Sequence, residues 1–201
     1  STPEHLKEFL IKRQAHYAII SSVSADATLI AAWAGQVNRK IILSPALPLP
    51  IKNLYATPTT LGVDRLAGAC GAHHQFPQTD CLVVDAGTCM KLEFVDAHGN
   101  YHGGSIAPGM QMRFKAVHTF TARLPLVSAM ENPALTGNST ESCIQSGVVN
   151  GMAAELNGLI SLYQEKYPKL RVILCGGDAA FFENKLKASI FASPELVLIG
   201  L

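Results

Sequence analysis

The chain has 201 residues, of which 48% are hydrophobic and 15% charged, and its formal net charge is +1. This composition is typical of a globular protein with a sizeable core, and it excludes collagen-like and disordered chains. The near-neutral charge argues against a nucleic-acid partner. No apolar run reaches the ~18–20 residues of a membrane-spanning helix. We therefore expect a cytoplasmic protein that acts on a small molecule.

The first part of the sequence alternates between helix and strand patterns. Apolar residues recur at helical spacing over 4–13, and this helix is followed by a buried strand, a second helix and a second strand, predicted over 17–23, 27–36 and 40–43. Strand, helix and strand in this order predict two parallel strands joined by a helical crossover. Three prolines in 44–50 favour a linker, and the small residues of 66–74 predict a closely packed helix.

A second α/β pattern begins near residue 77. Strands are predicted over 81–85, 91–95 and 101–106, and long helices over 108–121 and 142–167. A strand over 171–175, a helix over 179–187 and an apolar element over 197–199 follow. We therefore predict an α/β protein with two domains, residues 1–77 and 78–201.

The strongest single motif follows the first strand of the second unit. The apolar run from Cys81 ends on Asp85, and Gly87 and Thr88 come directly after it. An aspartate at the tip of a buried strand is held where a cation or a phosphate can meet it. Gly87 lets the backbone approach a phosphate, and the Thr88 hydroxyl can donate to its oxygens. An ordinary hairpin turn accounts for the same residues equally well.

Two further motifs lie where irregular segments meet regular elements. Asp64 and Arg65 stand at the start of a predicted helix. They can act together, with Asp64 as an acid or base and Arg65 as an anion-binding group. Alternatively, Asp64 caps the helix and Arg65 is solvated. Gly176 and Gly177 follow a predicted strand, where glycines suit either a nucleotide at the sheet edge or a plain turn. Each motif alone is compatible with a purely structural role.

In combination, the motifs resemble those of the type III pantothenate kinases. The resemblance implies two ribonuclease-H-like domains with ATP between them, as in the superfamily of acetate kinase, sugar kinases, heat-shock ATPases and actin. It also implies ATP-dependent phosphorylation of the 4′-hydroxyl of pantothenate, the first step of coenzyme A biosynthesis, by a homodimer. The segments that carry it are Tyr55, Gly62-Val-Asp64-Arg65, Asp85-Ala-Gly-Thr88, Gly103-Gly-Ser-Ile-Ala-Pro-Gly109, Asn138-Ser-Thr140, Ser146-Gly147 and Gly176-Gly177.

The resemblance also implies roles for individual residues. Asp64 would accept the proton of the pantothenate hydroxyl, and Asp85 would hold a monovalent cation, potassium or ammonium. ATP with Mg²⁺ would be bound by Gly87, Thr88, Gly176 and Gly177. Pantothenate would be contacted by Tyr55, Gly62, Val63, Asp64, Arg65 and Thr140, the last of these from the second subunit.

One motif of the family is missing from the 201 residues. The family begins with a strand that carries an Asp-x-Gly-Asn-Thr phosphate motif, and no such motif occurs here, so we expect the N-terminal domain to be incomplete. Two alternatives to a pantothenate kinase stay open. One is a non-catalytic regulatory homologue, and the other is a different small-molecule kinase of the same superfamily.

Overall fold

The strands of the protein form two separate sheets. The computed structural model describes residues 3–22, 26–35 and 37–201. The smaller sheet pairs two parallel strands, and a helix connects them, as the strand–helix–strand pattern predicts. The elements of this part are α1 (Pro3–Lys12), β1 (Tyr17–Ile20), α2 (Ala27–Trp33) and β2 (Arg39–Ile42).

The larger sheet is mixed and has six strands. In spatial order they are β3 (Lys52–Asn53), β6 (Asn100–Pro108), β5 (Cys89–Val95), β4 (Cys81–Ala86), β7 (Arg171–Cys175) and β8 (Ile190–Ala192). Strands β4, β5 and β6 form an antiparallel meander. Strand β7 runs parallel to both β4 and β8, and β3 runs parallel to β6. The structure is therefore mixed α/β.

Helices cover both faces of the larger sheet, because strands β4 and β7 carry apolar residues on both of their faces. Leu82 and Val84 of β4 pack into the core beneath three helices, whereas Cys81 and Val83 point to the opposite face. All four side chains are buried. The helices of the first face are α4 (Met110–Thr119), α5 (Thr140–Lys166) and α6 (Ala179–Glu183), and those of the second are α3 (Val63–Gln75) and α7 (Leu196–Ile199).

The structure corrects the expectation that the first strand is buried. Tyr17 is 75% exposed, and only Ile20 of β1 is buried. The physical reason is that this sheet has two strands among the described residues, and the short helix α2 covers too little area to enclose them. The predicted strand end at 23 and helix end at 36 lie outside the described residues.

Three short elements have no counterpart in the sequence prediction. They are β3, β8 and a 3₁₀ helix at Pro58–Thr60, all of two or three residues, which is too short for a hydrophobic period to show. Strand β3 and helix α3 precede residue 77 and still pack on the larger sheet. The division into two domains at this residue stays a prediction. Within the described ranges, no helix combines the length and hydropathy that a membrane crossing needs.

Candidate active site

The turn between β4 and β5 lies at the centre of the candidate site. It consists of Gly87 and Thr88, and it brings Asp85 of β4 directly opposite Lys91 of β5 in the strand register. The end of β7 lies against the same place, because a Cβ atom at Gly176 would stand 2.5 Å from Asp85 Oδ1. Gly176 also has a φ of +94°, which favours glycine. A side chain at this position would therefore displace the Asp85 carboxylate.

Helix α3 places a second carboxylate over this turn. The helix begins at Val63 and packs against β4 and β5, so Asp64 of its first turn reaches the sheet. Lys91 Nζ lies 2.6 Å from Asp64 Oδ2 and 2.8 Å from Asp85 Oδ2. Partial burial disfavours the charge of Lys91, but hydrogen bonds and attraction to the two carboxylates outweigh this effect and raise its pKa. Lys91 therefore stays protonated and joins the two acids.

A second ion pair lies deeper, beside the first. Arg65 donates from Nε to Glu93 Oε1 at 2.5 Å and from Nη2 to Glu93 Oε2 at 2.9 Å, and Tyr101 donates to Glu93 Oε2 at 2.6 Å. Arg65 is 8% exposed and Glu93 is 2% exposed. The Tyr55 hydroxyl lies 3.4 Å from Arg65 Nη1. This network fixes Arg65, and with it the first turn of α3 that carries Asp64.

Two depressions meet at the Gly87–Thr88 turn. One has a volume of about 460 Å³ and contains Asp64, Asp85 and Lys91. The other has a volume of about 530 Å³, and its charged side chains are Lys115 and Asp178. Both are lined by Gly87 and Thr88. A carboxylate on one side of a glycine turn and an open depression on the other side suit the transfer of a phosphoryl group between two bound molecules.

The structure brings most of the predicted site residues together. Six of them line the first depression, namely Gly62, Asp64, Arg65, Asp85, Gly87 and Thr88. Gly177 lines the second, whereas Tyr55 lies behind Arg65 and Val63 lines neither. Thr140 is exposed at the start of α5, in a different groove between α4 and α5. A single chain therefore does not bring Thr140 to Asp64.

The residues around Asp85 do not fit the monovalent cation expected there. The Oδ2 atom of Asp85 already faces a cation, the Lys91 ammonium.

Sequence reasoning missed Lys91 and Glu93. A signal was available, because the segment Lys91-Leu-Glu93-Phe alternates charged and apolar residues on a central strand. Such alternation places both charges on one face, the face of Asp85.

A family model and the curated relatives of this chain agree on one family. A family model described as type III pantothenate kinase matches residues 3–162. The type III pantothenate kinase of Phocaeicola vulgatus is 52% identical over 161 residues, which are 80% of this chain and 66% of the relative. That of Bacteroides fragilis is 54% identical over 154 residues, which are 77% of this chain and 63% of the relative. The chain thus spans just under two thirds of the length of the curated relatives it matches.

A solved structure resembles this chain in fold. It is described as a conserved Baf family transcriptional activator from Campylobacter jejuni, and it superposes with a TM-score of 0.60 at 22% sequence identity. The match covers 89% of this chain and 77% of the other. At this identity, the likeness concerns the fold alone.

Proposed function

This chain belongs to the type III pantothenate kinase family, and on that premise we propose that it phosphorylates the 4′-hydroxyl of pantothenate with ATP, the first step of coenzyme A biosynthesis. The observation that carries the proposal is the position of Asp64, in the same depression as the Gly87–Thr88 turn. Phosphoryl transfer depends mainly on positioning and on charge stabilisation, and these residues can supply both.

Asp64 is proposed as the proton acceptor. Lys91 holds its Oδ2 atom, and Oδ1 has no hydrogen-bond partner among the described residues. In the reaction, the hydroxyl oxygen of pantothenate bonds to the γ-phosphorus while the bond from that phosphorus to the β–γ bridging oxygen breaks. The hydroxyl proton passes to Asp64 Oδ1, and ADP leaves. Gly62 and Arg65 line the same depression and would also contact pantothenate, with Arg65 held by Glu93. Val63 and Tyr55 do not line this depression, so their contact with pantothenate stays a prediction from the family resemblance alone.

The second depression is the proposed place for the ATP phosphates. Gly87, Thr88, Gly176 and Gly177 border it or the adjoining turn, and the ammonium group of Lys115 is suited to phosphate oxygens. When bound, Mg²⁺ neutralises the charge on the β- and γ-phosphate oxygens. The Asp178 carboxylate fits this ion, because it lines the depression and has no hydrogen-bond partner among the described residues. Burial raises its pKa, which an adjacent divalent cation would reverse.

The two-domain arrangement is part of the proposal. Residues 1–77 would belong to an N-terminal ribonuclease-H-like domain and residues 78–201 would form the C-terminal one, with ATP between them. The separate β1–β2 sheet supports a distinct N-terminal unit.

A homodimer is the second part of the proposed arrangement. The groove at the start of α5 has an apolar wall that includes Val117, Leu124 and Ile144, and exposed Thr140 stands at its edge. Such a wall suits contact with a second copy, which would receive Thr140 in its own pantothenate site.

The proposed activity is tested by incubating the protein, expressed from its complete reading frame, with ATP, Mg²⁺ and pantothenate. We expect ADP and phosphopantothenate in equal amounts, measured by a coupled assay and by mass spectrometry. Glucose and glycerol serve as control acceptors. ADP formed with these alcohols but not with pantothenate would identify a different small-molecule kinase. Binding of ATP without turnover of any acceptor would favour the regulatory homologue.

The shared active site predicts complementation between two inactive variants. Asp64→Asn and Thr140→Val proteins are each expected to be impaired, and mixing them under conditions of subunit exchange is expected to restore activity. A mixed dimer then holds one site with both defects and one site with neither, so about half of its sites are intact. Absence of recovery despite demonstrated exchange, or a monomeric mass by light scattering, would contradict the shared site.

A further inference from the structure

Lys91 lies against Asp85, the residue that the family resemblance assigns to a monovalent cation. It lies directly across from Asp85 in the β4–β5 pair, and its ammonium also reaches Asp64 of α3. One side chain thus connects the strand end that carries the phosphate turn with the helix that carries the proposed base.

The surroundings keep this ammonium in place. The side chain of Lys91 is 15% exposed, and those of its partners Asp64 and Asp85 are 29% and 20% exposed. The two carboxylates and one ammonium carry a net charge of −1. Without the ammonium, two negative charges would face each other in a partly buried place, which is unfavourable. Because Lys91 is covalently attached to β5, its effective concentration at this position exceeds that of an ion in solution.

The positive charge of Lys91 also lies close to the proposed binding place of the ATP phosphates. Asp85 Oδ1 lies beneath Gly87 and Gly176, so the three charged groups border the turn at which the two depressions meet. An alkylammonium carries the same charge as ammonium or potassium and offers N–H donors to the same oxygens.

We propose that Lys91 is a built-in counter-ion for Asp64 and Asp85, and that the protein therefore requires neither potassium nor ammonium. The consequence for activity rests on the proposed kinase function, whereas the consequence for cation binding does not. Removing the side chain beyond Cβ should create a space beside two carboxylates that a small cation can enter. Lys91→Ala is thus expected to make the protein dependent on a cation that the wild type does not need.

The test compares melting temperature and pantothenate turnover in KCl, NH₄Cl and choline chloride at equal ionic strength. Choline is too large for the space of an ammonium group, so it serves as the reference. For the wild type, we expect both quantities to agree among the three salts, with rates within about twofold. For Lys91→Ala, we expect a higher melting temperature in KCl and NH₄Cl than in choline chloride, and rates raised about tenfold or more by those cations.

Lys169→Ala is the matched control. Lys169 is exposed between α5 and β7, and its loss should leave the wild-type response to all three salts unchanged. The proposal is overturned if the wild type itself needs potassium or ammonium for activity, or if Lys91→Ala melts identically in the three salts. The wild-type comparison decides even where Lys91→Ala fails to fold. If no protein turns over pantothenate in any salt, the kinase function fails, and the melting temperatures still decide the role of Lys91.

Discussion

Replacing Asp64 by asparagine is expected to lower the turnover number by about 10²–10⁴-fold, the usual loss when a general base is removed. The asparagine side chain has nearly the same shape, and its carbonyl oxygen can still accept a hydrogen bond from Lys91. The amide nitrogen then takes the place of Oδ1, and it cannot accept the proton of the pantothenate hydroxyl. Steady-state kinetics with saturating ATP and pantothenate measure the effect.

The same substitution at Asp26 is the control for this experiment. Asp26 caps α2 by accepting from the Thr28 N–H at 2.8 Å, and asparagine is an equally good cap. Asp26→Asn should therefore leave the turnover number unchanged. If Asp64→Asn retained turnover within a factor of a few, Asp64 would not be the base.

The sequence alone was sufficient to place Asp64 and the Gly87–Thr88 turn. Asp64 lies at a helix start and the turn follows a continuous apolar run, and both features have a local signal in the sequence. In the observed register Ala86 pairs with Met90, which leaves residues 87–89 between them, whereas a two-residue turn would have paired Asp85 with Met90. The turn signal alone therefore did not predict the pairing of Asp85 with Lys91.

Other features depend on contacts between segments distant in the sequence. Arg65 and Glu93 are 28 residues apart, and nothing local indicates that the guanidinium turns inward to meet a carboxylate. Strand β3 has two residues and exists because β6 offers it an edge. The exposure of Tyr17 depends on how much of β1 its neighbours cover. Such features follow from tertiary packing, which periodicity does not report.

The Arg65–Glu93 pair is expected to be the most sensitive polar contact of the described residues. Both side chains are buried, and Glu93 accepts three hydrogen bonds, two from Arg65 and one from Tyr101. Attraction to Glu93 outweighs the cost of burial and raises the pKa of Arg65, which stays charged. Glu93→Gln would leave that charge without a counter-ion in the core. Removing one partner of a buried ion pair costs about 3–5 kcal/mol in the free energy of unfolding.

Glu155→Gln provides the comparison, because it removes the same charge from a more exposed pair. Arg113 Nη2 lies 2.7 Å from Glu155 Oε2, and these side chains are 23% and 34% exposed, so we expect a loss of about 0–1 kcal/mol. Urea denaturation of both variants and the wild type measures the difference. Where Glu93→Gln is too unstable to purify, Tyr101→Phe removes one hydrogen bond to Glu93 and should cost about 1.5–3 kcal/mol. Equal losses for Glu93→Gln and Glu155→Gln would mean that burial gives the inner pair no special weight, and that the pair does not fix the first turn of α3.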